Sequence, residues 1–343
     1  MLDQAPPGNA MPSYQPADDG GLYLSSYLRW IPRRTGSIWF HCLMFLMRHL
    51  ARINPKGPED LIPLRNKFQR LDARFVRLPK WAARQAVLAN GVDCEWVRAE
   101  GCDEQRVMLY LHGGAFALRM PNTHAKFAAQ LSRLLGARVL LPDYRLAPEH
   151  KFPAAPDDCV SAYRWLLEQG IAAKQIVVAG DSAGGNLALA LLLRLKQEGL
   201  PQPAAALALS PATDVNFNLE TYRTRAAFDP VLPAEKIHLF ADAYIDVQHR
   251  KDPTASPLLG EYAGIAPILI QVGTNEILLD DSRCVAQRIH ETGGWVMCEV
   301  WDEMPHVFPL LDGLQESAVA VANIGYFIAA QTGWPLRKVR REG

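Results

Sequence analysis

Short, unbroken apolar runs constrain this chain more than any other feature. Arg106-Val107-Met108-Leu109-Tyr110-Leu111, Arg138-Val139-Leu140-Leu141, Ile176-Val177-Val178, Ala205-Ala206-Leu207-Ala208-Leu209 and Ile268-Leu269-Ile270-Gln271-Val272 recur from residue 106 onward. Runs that are apolar at nearly every position suit strands covered on both faces, as in a parallel sheet. Helix-forming stretches separate or follow them, at Thr123–Leu135, Ala155–Gln169, Ala183–Glu198, Ser282–Glu291 and Gln315–Thr332. Parallel neighbours need a crossover, so this alternation predicts an α/β protein: a doubly wound, mostly parallel central sheet with helices on both faces. Val296-Met297-Cys298-Glu299-Val300-Trp301 alternates more in polarity and is expected near the sheet edge.

The rhythm begins at about Gln85 and breaks between Ser210 and Pro267. Residues 1–20 read as a disordered leader and Leu22 to about Arg84 as helical, so 1–84 is expected to supply a leader and N-terminal cap helices. Residues 85–343 then form the α/β domain, with a cap insertion at about 211–255. A chain of 343 residues, 49% hydrophobic, can bury such a core. Its 36 Lys and Arg balance 36 Asp and Glu, so the charge does not recommend nucleic acid as a partner. Six scattered cysteines without C-x-x-C read as reduced thiols, and no histidine pair has H-E-x-x-H spacing, so no metal is expected. Met1 to Pro16 is polar and proline-rich, without the basic start and apolar core of a signal peptide, and the expected location is cytoplasmic. Ile38 to Met47 is apolar but shorter than the roughly 20 residues that span a bilayer. It reads as a core or lid helix, with a membrane-surface anchor over residues 33–50 as the alternative. A neutral surface and an open sheet edge permit a homodimer without demanding one.

Four features carry chemistry. Gly180-Asp181-Ser182-Ala183-Gly184 lies between a strand and a helix, the setting in which a serine hydroxyl is presented on a sharp elbow. His112-Gly113-Gly114-Ala115-Phe116 follows a strand, and its glycines leave backbone N–H groups open, as an oxyanion hole requires. His306 sits in a loop after the last strand, and Glu276, Asp280 and Asp281 follow the strand before it. The order nucleophile, acid, histidine is that of a serine hydrolase on an α/β sheet. A serine hydroxyl needs an imidazole to take its proton, and the imidazole needs a carboxylate to fix its tautomer.

His112-Gly113-Gly114, the segment Pro142-Asp143-Tyr144-Arg145-Leu146-Ala147-Pro148-Glu149-His150-Lys151-Phe152-Pro153-Ala154, and Gly180-Asp181-Ser182-Ala183-Gly184-Gly185-Asn186 together resemble the hormone-sensitive-lipase-like group of α/β-hydrolases, the bacterial family IV esterases. The resemblance runs from about Val107 to beyond His306, roughly two-thirds of the chain. It implies an α/β-hydrolase fold with a helical cap and a metal-free, cofactor-free carboxylesterase acting on small-molecule esters of short- to medium-chain acids. Ser182 would be the nucleophile and His306 the general base, with the N–H groups of Gly113, Gly114 and Ala183 forming the oxyanion hole. Many members carry the acid as the first Asp of D-P-L-x-D. Here the stretch reads Asn275-Glu276-Ile277-Leu278-Leu279-Asp280-Asp281, which aligns Glu276 with that Asp and Asp280 with the second acid. Glu276 is preferred because it lies nearer the strand end, and Asp280 is the alternative. Two other functions stand beside the esterase: an amidase or deacetylase for a small acylated metabolite, and a non-catalytic ligand receptor, which would be expected to lose a triad member. His112 is expected to brace the oxyanion loop, and Asp143, Tyr144, Arg145 and Glu149 to hold a loop by polar bonds. Trp30, Trp39, Phe40 and Phe45 either pack the core or line an acyl pocket.

Overall fold

The computed structural model describes residue 16 and residues 20–33, 38–48 and 55–337. The expected leader therefore lies outside the described residues except at Pro16 and Gly20, and so does the basic tail beyond Arg337. In chain order the strands are β1 (Leu22–Tyr23), β2 (Leu28–Ile31), β3 (Ala82–Ala89), β4 (Val92–Ala99), β5 (Asp103–Leu111), β6 (Ala137–Pro142), β7 (Ile176–Asp181), β8 (Ala205–Leu209), β9 (Ile268–Asn275) and β10 (Val296–Pro305). The helices are α1 (Ile38–Leu46), α2 (Leu61–Phe75), α3 (Pro121–Leu135), α4 (Ala154–Glu168), α5 (Ala183–Gln197), α6 (Thr221–Thr224), α7 (Ile237–Tyr244), α8 (Leu279–Glu291) and α9 (Gln315–Thr332).

One sheet takes the order β1-β2-β10-β9-β8-β7-β5-β6-β4-β3. From β2 to β6 every pairing is parallel, while β1, β4 and β3 run antiparallel to their neighbours. The five apolar runs are β5 to β9. Successive side chains leave a strand on opposite faces, so a strand covered on both sides needs apolar residues throughout. Met108, Tyr110, Val177, Ala179 and Leu207 pack with residues of α3 and α9. Leu109, Leu111 and Val178 pack with α4 and α5, and Ala206, Ala208 and Ile270 with α5 and α8. From β5 the chain crosses to β6 on one side and then to β7 on the other. The carboxyl ends of β5 and β7 thus flank the point where the winding reverses, the place where open α/β sheets hold their ligands.

Two departures from the sequence expectation concern the amino-terminal third. Leu22–Tyr23 and Leu28–Ile31, expected as helical, are strands. Strands of two and four residues are too short to show alternation, and pairing of β2 with β10 fixes them. β10 lies third from one edge of the ten-stranded sheet, near the edge as expected, with β2 and β1 outside it. Its polar residue Glu299 is buried, bonded by Arg29 at 3.2 Å, Gln271 at 2.9 Å and Asn323 at 3.0 Å. Alternation here reflects a polar network inside the core rather than solvent.

Trp30 lies on β2, and Phe40 of α1 is buried with Ile31, Trp301, Met304 and Phe308, so both pack the core. The Trp39 side chain lies outside the described residues, and Phe45 is exposed. No helix among the described residues is long and apolar enough to cross a membrane. Between β8 and β9 the chain forms α6, α7 and short 3₁₀ turns. Asn186, buried on α5, donates through Nδ2 to Ala212 O (2.6 Å) and Ala255 O (2.8 Å), and so ties both ends of this segment to one helix. Phe240 and Tyr244 of α7 then face the carboxyl edge of the sheet, where Tyr244 stacks on Phe116.

Candidate active site

Ser182 ends β7 and precedes α5 with φ 54° and ψ −120°, a left-handed conformation that costs a non-glycine residue energy. Close backbone approach holds it there. A Cβ on Gly180 would fall 2.1 Å from Gly184 O, and one on Gly184 would fall 2.0 Å from Leu111 O. Only glycine lets the elbow press against both α5 and the end of β5. The Ser182 N–H donates to Leu209 O at 2.7 Å, which anchors the elbow to β8.

The hydroxyl meets the other predicted residues. Ser182 Oγ lies 3.0 Å from His306 Nε2, and His306 Nδ1 lies 2.7 Å from Glu276 Oε2. Because Glu276 offers an acceptor, Nδ1 carries the proton and Nε2 is left to accept from Ser182. Burial acts to lower the His306 pKa, but the Glu276 charge and its hydrogen bond, with Asp229 and Asp181 beyond, outweigh it and raise the pKa above 6.5. Glu276 is fully buried, and its Oε1 accepts from Ser210 Oγ (2.8 Å) and from the Gly273 N–H (2.8 Å). Asp280 turns away: it pairs with Arg283 at 3.2 Å at the start of α8. Asp281 is buried under the inserted segment, bonded by Tyr222 Oη (2.6 Å) and the Thr213 N–H (2.7 Å), and burial pushes its pKa up to about 7.

The oxyanion loop corrects one expectation. The Gly113 N–H donates to Asp181 Oδ1 at 3.0 Å and is therefore not available to a substrate. The next two residues take positive φ, Gly114 at 125° and Ala115 at 51°. Among the described residues, their N–H groups and that of Ala183 have no protein acceptor, and Ala115 and Ala183 line the same cavity as Ser182. The N–H groups the loop leaves open are thus those of Gly114 and Ala115 rather than Gly113 and Gly114, because the first glycine is engaged in holding the loop. As expected, His112 braces it: Nδ1 faces Gly113 O at 2.8 Å, and the ring stacks on Tyr144, whose hydroxyl donates to His112 O at 2.6 Å. Asp143 pairs with Arg119, Arg145 with Asp158 and Glu149 with Arg65, which secures the following loop.

Sequence reasoning missed Ser210, Asp181 as more than a spacer, His124, and Asp229. Asp229 is buried and accepts N–H groups from Val231 and Leu232 (both 2.8 Å) and from Ile277 (2.9 Å), beside the acid. Ser210 could have been found from its place at the carboxyl end of an apolar run, but Asp229 lies in a stretch without periodicity. Beside Ser182 is a narrow apolar cavity lined by Ala115, Phe116, Val215, Phe217, Leu232 and Tyr244 among others. A larger groove of about 510 Å³ between α3 and α9 shares no lining residue with it and holds no catalytic constellation, so chemistry rather than size selects the site. Among the described residues no cluster of three or more His, Cys, Asp or Glu could hold a metal ion.

A nucleophile elbow at a topological switch point, followed by acid and histidine on the last two strands, defines an α/β-hydrolase. Comparison with known proteins agrees: a family described as alpha/beta hydrolase fold matches residues 108–310. The chain is 41% identical over 294 residues to an acetyl-hydrolase of Streptomyces hygroscopicus, covering 85% of this chain and 98% of that protein. It is 36% identical over 300 residues to an esterase of Acinetobacter venetianus, covering 85% and 97%. The crystal structure of an esterase from the bacterial hormone-sensitive lipase family superposes with a TM-score of 0.81 at 37% identity, over 88% of this chain and all of that one. The chain belongs to the α/β-hydrolase family, and within it to the hormone-sensitive-lipase-like serine hydrolases.

Proposed function

We propose that this protein is a carboxylesterase working through Ser182, His306 and Glu276. The observation that carries this reading is the unbroken hydrogen-bond chain from Ser182 Oγ through the His306 ring to Glu276. His306 Nε2 takes the hydroxyl proton as Oγ attacks the ester carbonyl. The oxyanion accepts from the N–H groups of Gly114, Ala115 and Ala183 at the amino end of α5, whose dipole favours negative charge. His306 then protonates the departing alkoxide, and water releases the acyl group by the same route in reverse.

The cavity supports the short end of the acyl range. The stacked Phe116–Tyr244 pair in its wall narrows it beside the nucleophile, which favours an acetyl group over longer chains. A p-nitrophenyl ester series from acetate to laurate, run beside p-nitroacetanilide, tests both points. The expected kcat/KM is highest for acetate to butyrate and at least about tenfold lower for decanoate, since each mismatched methylene is worth on the order of 1 kcal/mol. Faster cleavage of the anilide would transfer the site to amides. Inertness toward every ester would favour a receptor.

The base sets the pH dependence. His306 acts only when neutral, and its pKa is raised, so activity is lost as pH falls through a value above 6.5. The acid limb of kcat/KM is expected above pH 6.5. A limb below that value would contradict the Glu276–His306 contact as the working arrangement.

A further inference from the structure

Asp181, between Gly180 and Ser182, turns its carboxylate away from solvent and under the oxyanion loop. Oδ1 accepts from the Gly113 N–H (3.0 Å) and from Tyr110 Oη (2.8 Å). Oδ2 presses on the loop itself, 2.1 Å from where a Cβ on Gly113 would stand. The remaining neighbour of Oδ1 is His124 Nε2 on α3, 3.4 Å away, a charge contact without a well-aligned hydrogen bond. Both side chains are buried, Asp181 at 4% exposure and His124 at 2%. A cation beside such a carboxylate offsets the cost of burying its charge, and among the described residues His124 is the one in ion-pair contact with it.

The ring geometry supplies the charge. His124 Nδ1 lies 2.9 Å from Met120 O, a carbonyl that can only accept, so Nδ1 carries a proton. If Nε2 were bare, its lone pair would face the carboxylate. Nδ1 faces an acceptor and Nε2 a negative charge, and the imidazolium is the form that suits both. Resting on the esterase reading above, we propose that Asp181 and a protonated His124 form a charge-compensated positioning pair that aims the Gly114 and Ala115 N–H groups at the oxyanion. The pair fixes Gly113 from below, and the loop turns at the next two residues, where φ becomes positive.

The surroundings agree. His112, at 5.4 Å between ring centroids, bonds Gly113 O through Nδ1; burial and then the His124 charge push its pKa down to about 3, so it stays neutral. Tyr110 faces the pair from β5. Asp72 of α2 caps α3 through the Asn122 and Thr123 N–H groups and adds negative potential at His124. Glu95 and Arg119 face both imidazoles across a cavity of about 20 Å³. Burial acts to lower the His124 pKa, but Asp181, the Met120 carbonyl and Asp72 together raise it; burial likewise acts to raise the Asp181 pKa, and His124, Tyr110 and the Gly113 N–H together lower it. Loss of the His124 proton leaves a bare carboxylate behind the oxyanion hole. That charge opposes the negative charge of the transition state more than it opposes the neutral ester.

The experiment measures kcat and KM on p-nitrophenyl acetate from pH 6 to 10 for wild type, His124→Gln, Asp181→Asn and the double variant, with thermal melts as the fold control. His124→Gln is expected to lower kcat by about 10- to 100-fold and to leave KM within about threefold. Adding Asp181→Asn removes the stranded charge and should restore at least about tenfold of that loss. Wild type should show an alkaline limb in kcat that the double variant lacks. Wild-type kcat in His124→Gln, or a folded double variant no better than His124→Gln, overturns the pair. Histidine ¹⁵N NMR of wild type reads it directly, even if a variant does not fold: both His124 nitrogens protonated at pH 7.5 supports the proposal, and a neutral ring ends it. A wild type that cleaves no ester would instead refute the esterase reading, and the NMR result would still decide the pair.

Discussion

Ser182→Ala is expected to lower kcat on p-nitrophenyl acetate by about 10⁴- to 10⁶-fold while the protein stays folded. Ser182 Oγ is the hydroxyl bonded to His306 Nε2, and among the described residues no other side chain is bonded to that nitrogen. The backbone at φ 54° is set by the packing of Gly180 and Gly184, so alanine inherits the same conformation without a nucleophile. Water activated by His306 and the oxyanion donors would account for the residual rate. A melting temperature near that of wild type with about a tenth or more of its turnover would remove Ser182 from the reaction.

Glu276→Gln and Asp280→Asn separate the two candidate acids. Glu276→Gln is expected to cost about 10³- to 10⁴-fold in kcat, because a neutral amide neither stabilises the imidazolium nor fixes the tautomer. The same change withdraws the charge that raises the His306 pKa, so the acid limb moves to lower pH even as the rate falls. Asp280→Asn breaks a contact with the half-exposed Arg283 and should stay within about threefold of wild type. A large loss in Asp280→Asn with a mild one in Glu276→Gln would move the acid four residues along the chain.

Much of this was legible before any coordinates. The five apolar runs became the five strands from β5 to β9, and α9 spans Gln315–Thr332 as its composition indicated. The positions of Ser182, Glu276 and His306 are legible for the same reason: they follow the carboxyl ends of strands whose order the alternation defines. What stayed hidden depends on pairing or on direction. β1 and β2 are too short to carry a period and owe their form to β10. The choice between the N–H groups of Gly113 and Ala115 turns on where one carboxylate points, and Asp181 occupies a variable position of the elbow motif. Asp229 and Asp281 fasten the inserted segment through backbone N–H groups scattered along the chain, a pattern without a sequence signature.

The two short strands laid beside β10 also bear on assembly. An open sheet can grow into a filament only if it offers two complementary margins, one to give and one to receive the next copy. Here one margin ends in β1, with two residues of hydrogen-bonding backbone, while the other ends in β3, with eight. Among the described residues the β3 margin therefore offers the longer row of unpaired backbone groups and the β1 margin the shorter. Among the described residues the amino-terminal hairpin thus leaves little open backbone on its own margin of the sheet.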